Sequence, residues 1–111
     1  MNALRNKVQL IGNVGNDPEI RNLEGGKKVA SLTIATKDSY KNDKGEKVEQ
    51  TEWHRVVAWG KTAEIIERFV TKGKEIAIEG KLTHRSYDDK NGEKKYITEV
   101  LVNDLLLLGN K

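Results

Sequence analysis

Cysteine is absent from this sequence, which excludes disulfide bonds and thiolate metal sites and favours a reducing compartment. Proline occurs once, at Pro18, and no low-complexity linker is present. No stretch approaches the roughly 18 consecutive apolar residues of a membrane-spanning helix, and the N-terminal residues contain no apolar signal segment. We therefore expect a cytoplasmic protein without a membrane anchor.

Side chains suited to catalysis are also scarce. Histidine occurs only at His54 and His84, and no phosphate-binding loop, His-Glu-x-x-His motif or serine elbow is present. The acidic pair Asp88-Asp89 is a weak metal candidate, because it falls in a predicted turn next to a lysine. We predict a protein that is not an enzyme and that needs neither a cofactor nor a metal.

Charged residues, in contrast, are abundant. They form 33% of the 111 residues, against 36% hydrophobic residues, and the net charge is +3 with a pI near 9.1. This length predicts one domain over residues 1–111, with a single modest core. The mild positive charge is compatible with a polyanionic partner but does not require one.

The most informative segment covers residues 49–61 and contains both tryptophans of the chain. Side chains of a strand alternate between two faces, so Trp53, Arg55 and Trp59 share one face. The opposite face carries Val56 and Ala58, as expected of a strand packed on a core. At about 3.3 Å per residue the two rings stand about 20 Å apart, too far to touch each other. A polymer crossing the sheet could contact both, and bases stack on aromatic rings whatever their sequence.

The rest of the sequence predicts strands and one helix. The predicted strands are residues 7–15, 28–36, 48–59, 75–86 and 96–108, with a short extended piece at 19–23. Helical spacing predicts a helix over residues 61–71, with Phe69 in the core and Gly73 as its C-terminal cap. Long loops are expected at 37–47 and at 87–95, the second with its tip at Asn91-Gly92.

Three strands, a helix and two more strands, with long connections between strands, is the order of the OB-fold. The fold class expected is therefore all-β with one helix: a five-stranded Greek-key barrel with the helix between strands 3 and 4. Fold alone does not determine function.

The sequence also resembles the bacterial single-stranded DNA-binding proteins. The resemblance covers nearly the whole chain, and its most specific parts are Gly-Asn-x-Gly-x-Asp-Pro at residues 12–18 and Thr-Glu-Trp-His at residues 51–54. Further matching segments are residues 6–11, 55–57, 72–73, 78–82 and 96–103. The resemblance implies an OB-fold that binds single-stranded DNA with little sequence preference in replication, recombination and repair, usually as a homotetramer, although a dimer is also possible.

Carried over by position, the resemblance also implies the site residues. The aromatic residues expected to stack on bases are Trp53, Trp59, Tyr40 and Tyr87. The basic residues expected to contact phosphates are Lys7, Arg55, Lys61, Lys72 and Arg85, with Lys37, Lys41 and Lys81 as further candidates. The residues expected at subunit interfaces are His54, Val8 and Leu10. Relatives often carry a larger aromatic residue where this chain has Ala77, which leaves the contact between dimers open.

Relatives commonly continue into a flexible linker and an acidic tip that recruits partner proteins, whereas this sequence ends at Gly109-Asn110-Lys111. Whether this short form is natural or trimmed is open, and so are its replication and repair partners. Two other binding functions stay open at this stage. One is a dimeric OB-fold adaptor resembling the primosomal replication proteins, and the other is an OB domain that binds RNA or oligosaccharide.

Overall fold

The computed structural model describes residues 3–108, so the chain end at Gly109-Asn110-Lys111 lies outside the described residues. The described residues form six strands, one α-helix and two short 3-10 segments, at Ala3–Asn6 before the first strand and at Glu24–Gly26 between the second and third strands. The strands are β1 (Val8–Val14), β2 (Glu19–Asn22), β3 (Lys28–Lys41), β4 (Lys47–Trp59), β5 (Glu75–Asp88) and β6 (Lys94–Leu107). Helix α1 spans Gly60–Phe69.

The strands form one sheet in the order β1-β5-β6-β4-β3-β2, which β1 closes by also pairing with β3. Neighbouring strands are antiparallel except β4 and β6, which run parallel. This closed barrel with one helix is an OB-fold, as the order of the predicted elements indicated. The structure counts the short piece at Glu19–Asn22 as a strand, so the helix follows the fourth strand rather than the third.

The barrel interior is filled by the predicted inward faces of the strands. Ala30, Leu32 and Ile34 of β3 and Val56 and Ala58 of β4 are at most 2% exposed. Strand periodicity produces this core directly, because every second side chain of each strand faces inward. Helix α1 covers one end of the barrel. Its buried side chains are Ala63 and Ile66, and Val70, which directly follows the helix, is buried with them in the core.

The prediction that Phe69 lies in the core is wrong. Its ring is 52% exposed and lies 5.5 Å from the guanidinium carbon of Arg68, while Val70 is 3% exposed. The helix also ends two residues earlier than predicted, since the Val70 amide caps it by donating to the carbonyl of Ile66 at 3.0 Å. Gly73 therefore does not cap the helix; its φ of 93° turns the chain into β5.

The two predicted long loops are mostly strand. β3 and β4 stay paired as far as Lys41 and Lys47, and β5 and β6 as far as Asp88 and Lys94, so each pair projects as a two-stranded ribbon. The connecting turns are residues 42–46 and 89–93. The polar composition of these two segments led to the loop prediction, because the backbone pairing of strands does not require an alternating apolar pattern.

Both ribbon tips are closed in the same way. In the first, Oδ1 of Asn42 accepts hydrogen bonds from the amides of Lys44 and Glu46, each at 2.9 Å. In the second, Oδ1 of Asp89 accepts from the amides of Asn91 and Glu93, at 2.9 and 2.8 Å. The predicted tip at Asn91-Gly92 is confirmed, with Gly92 at a φ of 80°.

Candidate nucleic-acid interface

The outer face of β4 carries the two tryptophans as the sequence predicted. Trp53 is 62% exposed and Trp59 is 47% exposed, whereas Val56 and Ala58 on the inner face are fully buried. Two large rings on one face leave much aromatic surface in contact with solvent, where it can stack on a flat ligand. The two rings are therefore available to a ligand that lies across the outer face of the barrel.

Trp53 rests on the backbone of Gly15. A Cβ added at Gly15 would overlap Cζ3 of Trp53 and would lie 2.8 Å from Oγ1 of Thr33. The structure shows that glycine is needed here for close approach of the ring. One surface of the Trp53 indole is thus supported, and the rest faces solvent.

The loop containing Gly15 is fixed on both sides. The amide of Gly15 donates to the carbonyl of Thr33, and Oδ1 of Asn16 accepts from the amide and the hydroxyl of Thr33 at 2.9 and 2.7 Å. On its other side, Oδ1 of Asp17 accepts from the amide of Lys72 at 3.0 Å. This arrangement places Lys72 beside the loop that supports Trp53.

Arg55 lies between the tryptophans and shares a carboxylate with Arg85. Nε of Arg55 donates to Oε2 of Glu99 at 2.9 Å, while Nε and Nη2 of Arg85 donate to Oε1 and Oε2 at 3.1 and 3.2 Å. Glu99 is 6% exposed, whereas the side chains of Arg55 and Arg85 are 47% and 52% exposed. The buried carboxylate therefore holds two half-exposed guanidinium groups on the outer face.

These contacts determine the charge of the cluster. Burial of Glu99 disfavours its charged form, but hydrogen bonds from Arg85 and Arg55, and then their positive charges, outweigh that effect and hold the pKa of Glu99 below its usual value. The hydrogen bond to Glu99, followed by its negative charge, raises the pKa of Arg85. Glu99 is thus an anion at neutral pH, and two cations with one anion leave the cluster one net positive charge.

The arginine cluster lines a groove of about 430 Å³ that reaches Trp59. Strand register places one row of side chains across this part of the face: Lys81, Leu101, Val57, Ser31 and Glu19, from β5 through β6, β4 and β3 to β2. Arg21 lines the same groove, because Arg21 pairs with Val29 and Val29 pairs with Trp59. The groove is therefore continuous from β5 to β2.

The remaining predicted aromatic residues differ in their placement. Tyr87 is 45% exposed and pairs with Lys95, so it lies two residues from Arg85 on the same face of β5. Tyr40, 53% exposed, pairs with Val48 and lies on the ribbon face that alternates away from Trp53. Simple alternation therefore does not place Tyr40 on the same face as Trp53.

The remaining predicted basic residues lie at the borders of the face. Lys61 begins the exposed side of α1, two residues after Trp59. Lys7 lies immediately before β1, and its Nζ is 3.8 Å from a carboxylate oxygen of Glu79. The side chain of its neighbour Asn6 binds the backbone of Leu82 in β5. Nδ2 of Asn6 donates to the Leu82 carbonyl at 3.0 Å, and Oδ1 accepts from the Leu82 amide at 2.9 Å.

The predicted interface residues lie elsewhere on the barrel. His54 is half-buried, and its Nε2 lies 2.9 Å from Oγ1 of Thr36. Val8 and Leu10 pack partly against the core, so their side chains already have partners. Along β1, pairing with β3 covers only Asn13 and Val14 among the described residues, which leaves the rest of that strand edge open.

Sequence reasoning missed Glu99 and Arg21. Alternation at Glu19–Asn22 offered a signal for Arg21, because Ile20 faces the core and its neighbours must face outward. Glu99 gave no such signal, since its role depends on contacts across three strands.

Among residues 3–108, no group of three or more His, Asp or Glu side chains is arranged to hold a metal ion. Nor does any helix of that part of the chain combine the length and apolarity needed to cross a membrane.

A closed barrel whose outer face presents supported aromatic rings and fixed arginines is typical of OB-fold proteins that bind single-stranded nucleic acids. Residues 5–108 match the family model described as the single-strand binding protein family. The chain belongs to that family.

Individual relatives agree with this assignment. Single-stranded DNA-binding protein 1 of Chlorobaculum tepidum is 50% identical over 107 residues, 96% of this chain and 66% of the relative. Its namesake from Xylella fastidiosa is 47% identical over 110 residues, 98% of this chain and 81% of the relative. The chain thus spans just under two thirds of the length of the first relative.

A solved structure is similar over the whole barrel. The structure described as Plasmodium falciparum SSB in complex with ssDNA has a TM-score of 0.88 and is 34% identical to this chain. The similarity covers 94% of this chain and 95% of that one. That relative was therefore captured with a single strand bound to the same fold.

Proposed function

We propose that this chain binds single-stranded DNA with little sequence preference and protects it during replication, recombination and repair. The observation that carries the proposal is the pair of exposed tryptophans on the outer face of β4, 62% and 47% exposed, with Arg55 between them. Base stacking on such rings is independent of sequence, because every base has a π face. Family membership and the relative in complex with ssDNA support the same function.

The strand would follow the groove across the barrel. In this proposal Trp53 and Trp59 stack on bases about 20 Å apart, and Tyr87 and Tyr40 extend the contacts onto the two ribbons. The basic residues proposed to contact phosphates are Arg55, Arg85, Lys7, Lys61 and Lys72. Each phosphate neutralised releases counterions, so the affinity should fall as salt rises.

Assembly is a further part of the proposal. We infer a homo-oligomer, a homotetramer in the form usual for the family, with His54, Val8 and Leu10 near contacts between subunits. The open edge of β1 and an exposed apolar row support association. In that row Ile11 and Leu106, 52% and 62% exposed, flank Ala77 across β1, β5 and β6. Equilibrium sedimentation measures the mass, and a monomer at micromolar concentration would contradict this part.

The proposal includes no catalytic step and no cofactor. One DNA-binding domain would extend over residues 1–111, and its place of action would be the cytoplasm and nucleoid. Incubation of labelled single strands with the protein and magnesium should leave them intact. Cleavage of the strands would contradict the proposed absence of a catalytic step.

The direct test is a titration of tryptophan fluorescence with oligo-dT at low and high salt. Only Trp53 and Trp59 emit strongly, so quenching reports on the proposed contacts themselves. We expect strong quenching by oligo-dT, weaker affinity at high salt, and little response to a duplex of equal length. If neither quenching nor a gel shift appears, the binding proposal fails.

A further inference from the structure

Glu99 is an acidic residue buried at the centre of a face proposed to bind a polyanion. Burial of a carboxylate costs free energy, and a negative charge near phosphates opposes binding. Its three hydrogen bonds explain how the burial is tolerated: every one comes from Arg55 or Arg85. The carboxylate therefore acts on the face through these two arginines.

The contacts leave specific donors of each arginine for a ligand. Within residues 3–108, Arg55 uses only Nε towards Glu99, and Arg85 uses Nε and Nη2. Both Nη groups of Arg55 and Nη1 of Arg85 therefore make no hydrogen bond to the carboxylate and remain as donors for a ligand. Because a guanidinium is planar, fixing Nε also fixes the plane in which these remaining donors lie.

We propose that Glu99 is a positioning residue for single-strand binding, which orients Arg55 and Arg85 towards the strand at the cost of one positive charge on the face. This inference rests on the function proposed above. A free arginine loses rotamer freedom when it binds, at a penalty corresponding to about twofold to tenfold in affinity per side chain. Glu99 imposes that order before the strand arrives.

The positioning role and a purely electrostatic role predict different salt dependences. Glu99→Gln raises the charge of the cluster from one to two, so log K should fall more steeply with log salt, by about 0.7 per additional phosphate contact. If charge were the whole effect, the variant would bind more tightly at low salt and equal the parent near 1 M salt. Loss of positioning instead lowers the affinity extrapolated to 1 M salt.

The experiment measures oligo-dT affinity across a salt series for the parent, Glu99→Gln and Glu75→Gln. Glu75 is exposed at the start of β5, ten residues from Arg85, and its substitution makes the same change in charge. We expect Glu99→Gln to show a steeper slope and an affinity about fourfold to hundredfold weaker at 1 M salt, since two arginines are released. Glu75→Gln should follow the parent.

Two results would overturn the proposal. The first is an unchanged affinity at 1 M salt with a steeper slope, which assigns Glu99 an effect of charge alone. The second is a salt dependence and an affinity equal to those of the parent, which would show that Arg55 and Arg85 do not contact the strand. Failure of the parent itself to bind would instead refute the underlying function.

A second variant covers the case in which Glu99→Gln does not fold, as judged by circular dichroism. Arg85→Lys keeps the charge but replaces the planar fork by a single ammonium group, so the two-point contact with Glu99 is lost. We expect an unchanged salt slope with a twofold to tenfold weaker affinity at 1 M salt. Parental affinity at 1 M salt in this variant also overturns the proposal.

Discussion

Replacement of Trp53 by alanine is the sharpest perturbation of the proposed contacts. The ring is 62% exposed, and its supported side rests on Gly15 rather than in the core. Its removal should therefore change the free energy of unfolding little. The loss should appear in binding, where a stacked base contributes about 1–3 kcal/mol, or about 5-fold to 150-fold in the dissociation constant.

Trp59 makes the prediction quantitative. The two rings are about 20 Å apart, so their contributions to binding should be independent. The double substitution Trp53→Ala with Trp59→Ala should therefore lose the sum of the two single losses, within about 0.5 kcal/mol. Anisotropy of fluorescein-labelled oligo-dT measures all three variants, including the double variant that has no tryptophan.

Tyr96→Ala is the matched control. Tyr96 is 75% exposed and pairs with Ser86, on the face of its ribbon opposite Tyr87. Its removal deletes an exposed aromatic ring without touching the proposed path and should leave the affinity unchanged. Parental affinity in both tryptophan variants would refute the stacking argument, and so would an equal loss in Tyr96→Ala.

Three further predictions concern the support of the site. Gly15→Ala should displace the Trp53 ring, shift its emission and weaken oligo-dT binding; unchanged emission and affinity would refute the close contact. Ile66→Ala should cost about 2–5 kcal/mol in denaturant unfolding, whereas Phe69→Ala should cost less than about 1 kcal/mol, since Ile66 is 1% exposed and Phe69 52%. Comparable losses of unfolding free energy in the two variants would show that Phe69 is part of the core. The folded pKa of Glu99 is lowered, so its stabilisation is complete above the unfolded pKa, near 4.3, and is lost as pH falls through the folded value. The stability difference between the parent and Glu99→Gln should accordingly shrink below about pH 4; a constant difference down to pH 2 would contradict the assigned ion pairs.

The alternation of apolar and polar residues along the sequence was sufficient to predict which side of a strand faces the core. The alternation around Trp53 and Trp59 predicted both the inner and the outer face of β4, and the structure confirms this separation. The element order predicted the OB-fold, because strands interrupted by a single helix match the order of that barrel. These features follow from neighbours in sequence.

Features that depend on contacts between distant residues were missed. Glu99 meets Arg55 only because β4 and β6 run side by side in parallel, and nothing near Glu99 in the sequence indicates that pairing. Helical spacing could not separate Ile66 from Phe69, because the choice depends on how the helix packs against the barrel. The resemblance suggested residues for binding, which remain a prediction, but it did not indicate that Arg55 and Arg85 share one carboxylate.

The paired ribbons have a consequence for the thermodynamics of association. Because β3 with β4 and β5 with β6 are hydrogen-bonded almost to their tips, and both turns are closed by a side chain, their backbones have little conformational entropy left to lose. Ordering a five-residue turn from a flexible state would cost several kcal/mol, at about 1–2 kcal/mol per residue. A strand bound along the proposed path would meet a preformed surface, so most of the conformational entropy lost on binding would be that of the DNA.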